Sequence, residues 1–309
     1  MRHLFIINPK SGKGNRPNEI AEEIHALMQS RPDSYDIRVT ERAGHGRELA
    51  AAAAQSSEEP LRIYAFGGDG TLNEVVNGGA GYPHVAVTVV PTGSGNDFLK
   101  IFTTGRERFS NLAALVEGHT AAFDLIECNH RLALNIASVG LDARVGVGMA
   151  AYKNLPLVSG SMAYVLSLVE NVVRGIAEQY TVTVDGETVR GDFTLLAVCN
   201  GRYYGGGFCP VPDAMPDDGM LDFVLVKKVS RIRVAQLVRQ YANGYGRHYP
   251  GLIRIQRGRE MRVQCEHTMT AQLDGEELRS DLLSIRLSAK KLNFIYPDGA
   301  GWSVGKIPL

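Results

Sequence analysis

Three glycine-rich segments constrain the fold of this chain most, because each directly follows a run of apolar residues of strand length. The segments are NPKSGKG at 8–14, GGDGTLN at 67–73 and PTGSGND at 91–97. Helix-like segments at 18–30 and 49–57 separate the apolar runs. This alternation predicts a parallel sheet covered by helices, up to about residue 110. Since ligands of such sheets bind where strands end and loops begin, the three segments predict one ligand site.

The pattern changes near residue 122, where strand-like segments separated by turn residues begin to dominate. Two examples are 179–189 (QYTVTVDGETV) and 282–288 (LLSIRLS). They predict a mostly antiparallel second domain, with helices near 160–176 and 231–244. We therefore expect an α/β domain at 1–122 and a β-rich domain at 123–309, with the pairing of the last strand-like segment, at 291–297, left open between the two domains.

Composition limits the classes of function. Lys plus Arg and Asp plus Glu both number 33, which argues against a broad basic surface for nucleic acid. No apolar run is long enough to span a bilayer. The four cysteines form no CxxC pair and the eight histidines no HxxxH spacing, so we expect reduced thiols and structural histidines in a cytosolic protein.

The segment around Asp69 has the features of a phosphate-binding turn. Glycines allow backbone amides to approach an anion, and the helix that follows adds its positive end. Thr71 has the position of an N-cap and Glu74 the spacing of a capping box. A turn whose aspartate only caps the helix is the alternative. The first segment is not a Walker A loop, because Gly12-Lys13 is followed by Gly14 instead of Ser or Thr.

In this order and at these spacings, the three segments resemble the catalytic domain of diacylglycerol kinases. The resemblance is closest to the soluble bacterial lipid kinases of that family, which also resemble sphingosine kinases, and it covers essentially the whole chain. It implies a nucleotide domain like those of NAD kinases and phosphofructokinases, followed by a β-sandwich-like domain. The residues that it implies for ATP binding are Gly67, Gly68, Asp69, Gly70, Thr71, Leu72 and Asn73, together with Asn8, Thr40 and Ser94. Ser94 replaces a usual threonine and keeps its hydroxyl.

Two segments, VDGE at 184–187 and LDGE at 273–276, offer an acid in the same local form. Phosphoryl transfer needs a carboxylate that orients the acceptor hydroxyl and takes its proton late. An Asp-Gly hairpin turn is the structural alternative for each, and the residues alone do not separate them. The resemblance implies that Asp274 is the general base and that Glu276 lies near the nucleotide or its metal.

The acidic segment 210–226 (PVPDAMPDDGMLDFVLV) has the composition of a hard-cation site, with a solvated acidic turn as the alternative. The resemblance implies a structural Mg²⁺ there. Its ligands would be the Asp218 carboxylate and the backbone carbonyls of Met215 and Met220.

These features predict an ATP- and Mg²⁺-dependent lipid kinase that acts on a diacylglycerol-like, phosphatidylglycerol, monoacylglycerol or sphingoid hydroxyl. We expect a cytoplasmic enzyme that contacts a membrane surface transiently and binds no nucleic acid, with a homodimer left open. The segments 156–173 and 202–210 are candidates for lining a lipid entrance. The alternatives are a kinase with a soluble acceptor, like NAD kinase, and a non-catalytic ATP-binding regulator.

Overall fold

The computed structural model describes residues 1–12, 17–93, 95–103, 106–153 and 160–303. Residue contacts divide the chain into two compact units. Unit 1 comprises Met1–Leu125 and Ser288–Ser303, and unit 2 comprises Ile126–Leu287. The border between the two units thus lies between Leu125 and Ile126, whereas the domain border expected from the sequence lies between 122 and 123.

The strands are β1 (Arg2–Ile7), β2 (Ser34–Val39), β3 (Leu61–Gly67), β4 (Val85–Pro91), β5 (His119–Phe123), β6 (Ile126–Cys128), β7 (Arg131–Ala133), β8 (Ile136–Gly140), β9 (Glu178–Val184), β10 (Glu187–Cys199), β11 (Leu221–Lys227), β12 (Ile253–Gly258), β13 (Glu260–Leu273), β14 (Glu276–Leu287) and β15 (Leu292–Tyr296). The α-helices are α1 (Pro17–Met28), α2 (His45–Ser56), α3 (Asp69–Gly79), α4 (Leu112–Val116), α5 (Leu141–Lys153), α6 (Gly160–Arg174) and α7 (Arg231–Ala242). Short 3₁₀ helices cover Phe98–Ile101, Arg106–Ser110 and Tyr245–His248.

Unit 1 is built on a six-stranded sheet with the order β2-β1-β3-β4-β15-β5. The first five strands of this order run parallel, and only β5 pairs antiparallel, with β15. Every residue of β4 is buried, as expected for a strand inside a parallel sheet that is covered on both faces. The predicted α/β architecture is confirmed, and the late strand β15 is part of this sheet.

Unit 2 is built on a nine-stranded sheet whose described pairings are all antiparallel. Its core contains side chains from many strands, among them Val182, Phe223, Val263 and Leu283. The predicted antiparallel β-rich domain and its two helices, α6 and α7, are confirmed. The sequence pattern did not predict α5, because Gly146 and Gly148 lower its helix propensity. A Cβ on Gly148 would lie 2.6 Å from the Ser167 hydroxyl, so this glycine allows α5 and α6 to pack closely.

The predicted capping box at the start of α3 is wrong. The helix begins at Asp69, its N-cap is Gly68, and Thr71 lies inside the first turn. The Glu74 carboxylate instead accepts hydrogen bonds from the amides of Gly44 (2.7 Å) and Gly46 (2.9 Å). Glu74 therefore caps the start of α2, where an acidic side chain also interacts favourably with the helix dipole.

Among the described residues, no helix is both long enough and apolar enough to cross a membrane.

Candidate active site

The loops after β3 and β4 contact each other through their main chains. Because these strands are parallel neighbours, both loops leave the same edge of the sheet. The Gly93 amide donates to the Gly67 carbonyl (2.9 Å), and the Asp69 amide donates to the Gly95 carbonyl (3.0 Å). A Cβ on Gly68 would lie 2.7 Å from the Gly95 carbonyl oxygen, which no real side chain tolerates. Glycine is thus required for the two loops to approach.

Asp69 joins the two loops with its side chain. Its Oδ1 accepts a hydrogen bond from the Asp97 amide (2.9 Å). A Cβ on Gly95 would lie 2.9 Å from the other carboxylate oxygen. The glycines around Asp69 therefore allow one carboxylate to fix the shape of both turns. Ser94, predicted to contact the nucleotide, lies outside the described residues.

The loop after β1 completes this arrangement. The Asn8 amide donates to the Phe66 carbonyl (3.0 Å), and its side-chain Nδ2 donates to the Thr71 hydroxyl (2.9 Å). Gly12 has a φ of 79°, and a Cβ there would lie 2.3 Å from the Thr92 carbonyl oxygen. The structure thus brings all three glycine-rich segments together at one edge of unit 1.

The start of α3 is the part of this edge best suited to an anion. Its N-cap, Gly68, provides no side-chain cap, and first-turn amides have no acceptor within a helix. Such a helix start attracts phosphate groups. The side chains of Leu72 and Asn73 are buried, so they stabilise the helix behind the loop instead of being exposed to a ligand. Thr40 follows β2, and its amide donates to the Ile7 carbonyl (2.8 Å) at the same edge.

In unit 2, Asp274 lies in the two-residue turn between β13 and β14. Asp274 and Gly275 have φ values of 50° and 93°, as in a type I′ hairpin. The Asp274 carboxylate accepts hydrogen bonds from three consecutive amides, those of Leu134 (2.7 Å), Asn135 (3.0 Å) and Ile136 (2.8 Å). These charge-assisted bonds fix the orientation of the carboxylate at the start of β8. Glu276 is exposed at the first position of β14.

A chain of hydrogen bonds runs from this turn into unit 2. The Gly275 amide donates to Gln272 Oε1 (2.7 Å), and Gln272 Nε2 donates to the Ser138 hydroxyl (3.0 Å). The Ser138 hydroxyl donates in turn to Asp142 Oδ2 (2.6 Å). Burial of the Asp142 carboxyl raises its pKa, and the hydrogen bonds that it accepts oppose this rise.

Asp142 lines an apolar cavity of unit 2. The Tyr204 hydroxyl donates to Asp142 Oδ1 (3.1 Å) and lies 3.3 Å from the Tyr241 hydroxyl, and Tyr241 lines the same cavity. Most of the other lining side chains are apolar, including Val145, Leu168, Phe208, Val234 and Leu237. Leu168 and Phe208 fall within the two segments predicted to line a lipid entrance.

The sequence pattern did not predict the connection between the Asp274 turn and the cavity. Its members Ser138 and Gln272 are 134 positions apart. One signal was available in the sequence, because Asp142 is the one acidic residue in the mostly apolar stretch from 132 to 145.

The acids of the predicted metal loop form ion pairs with arginines. Asp218 accepts a hydrogen bond from the Met220 amide (3.1 Å) and forms an ion pair with Arg257. The Arg257 Nε also lies 3.7 Å from Asp222, whose pKa burial raises to about 6. Carboxylate and carbonyl oxygens suit a hard cation such as Mg²⁺. The residues therefore fit Mg²⁺ if the Asp218 carboxylate binds the ion and Arg257 together, or if the ion displaces Arg257 from this carboxylate. Met215 contacts Arg202 through its sulfur (3.1 Å), so only its carbonyl is a candidate ligand.

Two family models match the chain. One, described as the diacylglycerol kinase catalytic domain, matches residues 2–128. The other, described as the YegS C-terminal NAD kinase beta sandwich-like domain, matches residues 135–295. The first model covers all three glycine-rich segments, and the second covers the Asp274 turn and the acidic loop.

Named relatives are similar along most of the chain. A diacylglycerol kinase from Staphylococcus carnosus is 26% identical over 92% of this chain and 92% of the relative. A diacylglycerol kinase from Staphylococcus aureus strain MRSA252 is 27% identical over 89% of this chain and 86% of the relative.

Solved structures share the fold. A diacylglycerol kinase structure from Bacillus anthracis strain Sterne matches with a TM-score of 0.69 and 20% identity, covering 96% of this chain and 97% of the other. Yeast NADH kinase complexed with NADH matches with a TM-score of 0.50 and 11% identity, covering 96% and 83%. These likenesses confirm the predicted order of an α/β domain followed by an antiparallel β-rich domain.

Proposed function

The chain belongs to the diacylglycerol kinase family, and from this membership we propose that it is an ATP- and Mg²⁺-dependent lipid kinase. Its reaction would transfer the γ-phosphoryl group of ATP to a lipid hydroxyl. The oxygen of the acceptor forms the new bond to phosphorus, the bond from phosphorus to the β,γ-bridging oxygen breaks, and ADP leaves.

In this proposal, unit 1 binds the nucleotide. Main-chain amides at the start of α3 and in the loops after β1 and β4 would hold the phosphates of ATP. The packing of Gly68 against Gly95 and the bond from Asp97 to Asp69 support this assignment, because they fix the loops before a ligand arrives. Thr40, Asn8 and Ser94 remain proposed nucleotide contacts.

Asp274 would act as the general base. Its carboxylate would accept the proton of the acceptor hydroxyl late in the transfer, when the bond to phosphorus is largely formed. The three amides that bind the carboxylate support this role, because a catalytic group must be held in position. We assign Glu276 to the nucleotide or its metal.

The Asp218 carboxylate and the carbonyls of Met215 and Met220 would hold a structural Mg²⁺ in unit 2. When bound, this ion would supply positive charge that fixes the acidic loop.

The observation that best supports a lipid acceptor is the series of hydrogen bonds from the Asp274 turn to the apolar cavity. It runs from Gly275 through Gln272 and Ser138 to Asp142, which lines the cavity. We propose that the apolar side chains around this cavity of about 60 Å³ separate to admit an acyl or sphingoid chain, with Asp142 near the polar headgroup. A highly polar acceptor such as NAD would leave polar groups without partners in an apolar cavity. The enzyme would then meet its substrate at a membrane surface from the cytoplasm, and none of these contacts requires a homodimer.

The proposal is tested with radiolabelled ATP, Mg²⁺ and mixed micelles. The lipid arms contain diacylglycerol, phosphatidylglycerol, monoacylglycerol or sphingosine, and a further arm contains soluble NAD. We expect label in at least one lipid and none in NAD. Labelled NADP without labelled lipid would select a soluble-acceptor kinase, and ATP binding without any transfer would select a regulator.

A matched pair of variants on α6 tests the cavity itself. Leu168 lines the cavity, whereas Leu166 on the same helix is exposed. We expect Leu168→Asn to raise the KM for lipid by about tenfold or more, since each 1.4 kcal/mol of lost contact corresponds to about tenfold. Leu166→Asn should leave this KM within about twofold. Equal KM values for the two variants would show that the cavity does not bind the lipid.

A further inference from the structure

Three side chains in unit 2, away from the acidic loop, form a compact group of metal-ligand type. His267 Nε2 lies 3.5 Å from Glu178 Oε2 and 3.6 Å from the Cys265 sulfur. All three ligand atoms lie within 4.8 Å of one another. Across the part of the chain that the structure describes, this is the one group of three or more His, Cys, Asp or Glu side chains so arranged.

The strand pattern shows why these residues meet. Strands β9 and β13 pair antiparallel, with Val182 opposite Val263. Every second side chain of both strands points into the core of unit 2, and Cys265 continues this inward face. The pairing of β13 with β14 shifts between Gln264 and Met269, so the group lies at an irregularity of the strand. Irregularities of this kind re-aim side chains and are frequent beside functional sites.

Two of the three separations within the group match those of a tetrahedral zinc site. Zn²⁺ binds sulfur at about 2.3 Å and imidazole nitrogen at about 2.0–2.1 Å, so tetrahedral ligands lie about 3.5 Å apart. Both separations that involve His267 Nε2 are within about 0.1 Å of this value. A thiolate and an imidazole favour Zn²⁺ over Mg²⁺, which prefers oxygen ligands only.

Neighbouring side chains orient the group. The Tyr180 hydroxyl donates to Glu178 Oε2 (2.8 Å), and Arg144 forms an ion pair with Glu178 Oε1. Hydrogen-bonded second partners of this kind are typical of metal-binding carboxylates. Cys265 is buried and its thiol lies 3.6 Å from the Gln179 carbonyl, whereas the His267 side chain is 63% exposed. A metal ion can therefore reach the group from solvent on the histidine side.

We propose that Glu178, Cys265 and His267 bind one Zn²⁺ ion, with water as the fourth ligand. Binding converts the Cys265 thiol to a thiolate and releases its proton to solvent. The ion cross-links β9 to β13 at the rim of the core of unit 2, and this site is separate from the Mg²⁺ loop of the proposed kinase reaction.

The test uses the full chain, stripped of metal with a chelator and titrated with Co²⁺ as a spectroscopic substitute for Zn²⁺. We expect one Co²⁺ per chain with a sulfur-to-cobalt charge-transfer band, which one equivalent of Zn²⁺ removes. Co²⁺ in the acidic loop gives no such band, because that loop offers only oxygen ligands. A titration without the band would overturn the proposal, whether or not the chain is an active kinase.

Variants assign the ligands. Cys265→Ser should abolish the band, while Cys128→Ser, which alters another buried cysteine of unit 2, should retain it. His267→Gln should weaken Zn²⁺ binding more than the roughly 10–100-fold expected for loss of an outer partner. Because His267 is exposed, this variant keeps the test valid even if Cys265→Ser fails to fold. A band that persists in His267→Gln with unchanged Zn²⁺ affinity would contradict the assignment.

Discussion

Two aspartate–glycine hairpins of unit 2 have nearly the same local structure. Asp185-Gly186 joins β9 to β10 with φ values of 45° and 90°, and Asp274-Gly275 joins β13 to β14 with 50° and 93°. Each aspartate binds the first residue of a neighbouring strand. The Asp185 amide donates to the Glu260 carbonyl, and its carboxylate accepts from the amides of Arg259 and Glu260. Asp274 makes the equivalent bonds at Ile136.

The hairpins differ in their surroundings. Asp185 is exposed, as are its partners Arg259 and Glu260. Asp274 is half-buried, and its turn continues through Gln272 and Ser138 to Asp142, a half-buried acid beside the apolar cavity. The turn is thus a local property of the Asp-Gly sequence, whereas the proposed chemistry depends on residues that only the fold brings together.

The largest expected difference between the hairpins is in catalysis. We expect Asp274→Asn to lower the kcat of lipid phosphorylation by about 10²–10⁴-fold, the usual contribution of a general base. Asp185→Asn loses the same kind of carboxylate and should keep kcat within about twofold. Steady-state transfer of labelled phosphate measures both. Equal losses would mean that the two aspartates serve the same structural purpose.

Breaking the series of hydrogen bonds from Gly275 to Asp142 should have a smaller effect on catalysis. Ser138→Ala removes the hydroxyl that links Gln272 to Asp142, so the turn should lose part of its support. We expect kcat/KM for lipid to fall about 10–100-fold, comparable to the loss of an outer partner of a metal site. The KM for ATP should stay unchanged. The control is Thr183→Ala, which removes a hydroxyl next to the Asp185 hairpin and should leave kcat/KM unaltered.

The half-buried carboxyl of Asp142, the last member of the hydrogen-bonded series that begins at Gly275, should make stability depend on pH. Burial raises the pKa of Asp142 above its ordinary value of 3.8. As pH rises from about 4 through the folded-state pKa, the unfolded chain ionises first, so the wild-type protein loses stability. Asp142→Asn cannot ionise, and its free energy of unfolding should exceed that of the wild type increasingly above pH 4. Each unit of pKa difference contributes about 1.4 kcal/mol.

Urea unfolding of both proteins between pH 4 and pH 8 measures this difference. A constant difference across the range would show that Asp142 does not titrate differently in the folded and unfolded states.

The smallest effects test whether the two turns are alike. Gly186→Ala and Gly275→Ala place a side chain at φ values near 90° with no neighbour within 4 Å. Each should lower the free energy of unfolding by about 1–2 kcal/mol, the strain of a left-handed conformation, and the two losses should agree. Gly251→Ala has equal space without this φ and should change the free energy by less than about 0.5 kcal/mol. Markedly different losses of stability would show that the two turns are not under the same strain.

The sequence predicted those parts of the fold that depend on local pattern. Alternating apolar runs and helical segments predicted the parallel sheet, and the three glycine-rich segments predicted where its loops converge. The resemblance to a family identified Asp274 as the base candidate, which the local sequence could not separate from Asp185.

The parts that the sequence did not predict depend on contacts between distant residues. Glu74 caps a helix 28–30 positions earlier in the chain instead of its own. Gly148 belongs to a helix because it packs against Ser167, although its propensity is low. The meeting of Glu178 with Cys265 and His267 likewise requires the pairing of β9 with β13.

A single-turnover experiment tests most directly whether Asp274 acts in chemistry or only in structure. Wild-type, Asp185→Asn and Asp274→Asn proteins are mixed in excess over labelled ATP with saturating lipid, and ATP affinity is measured separately by calorimetry. We predict that all three bind ATP within about twofold, while Asp274→Asn alone transfers phosphate about 10²–10⁴-fold more slowly. Transfer by Asp274→Asn at the wild-type rate would contradict the account, since Asp274 would then be a turn residue like Asp185.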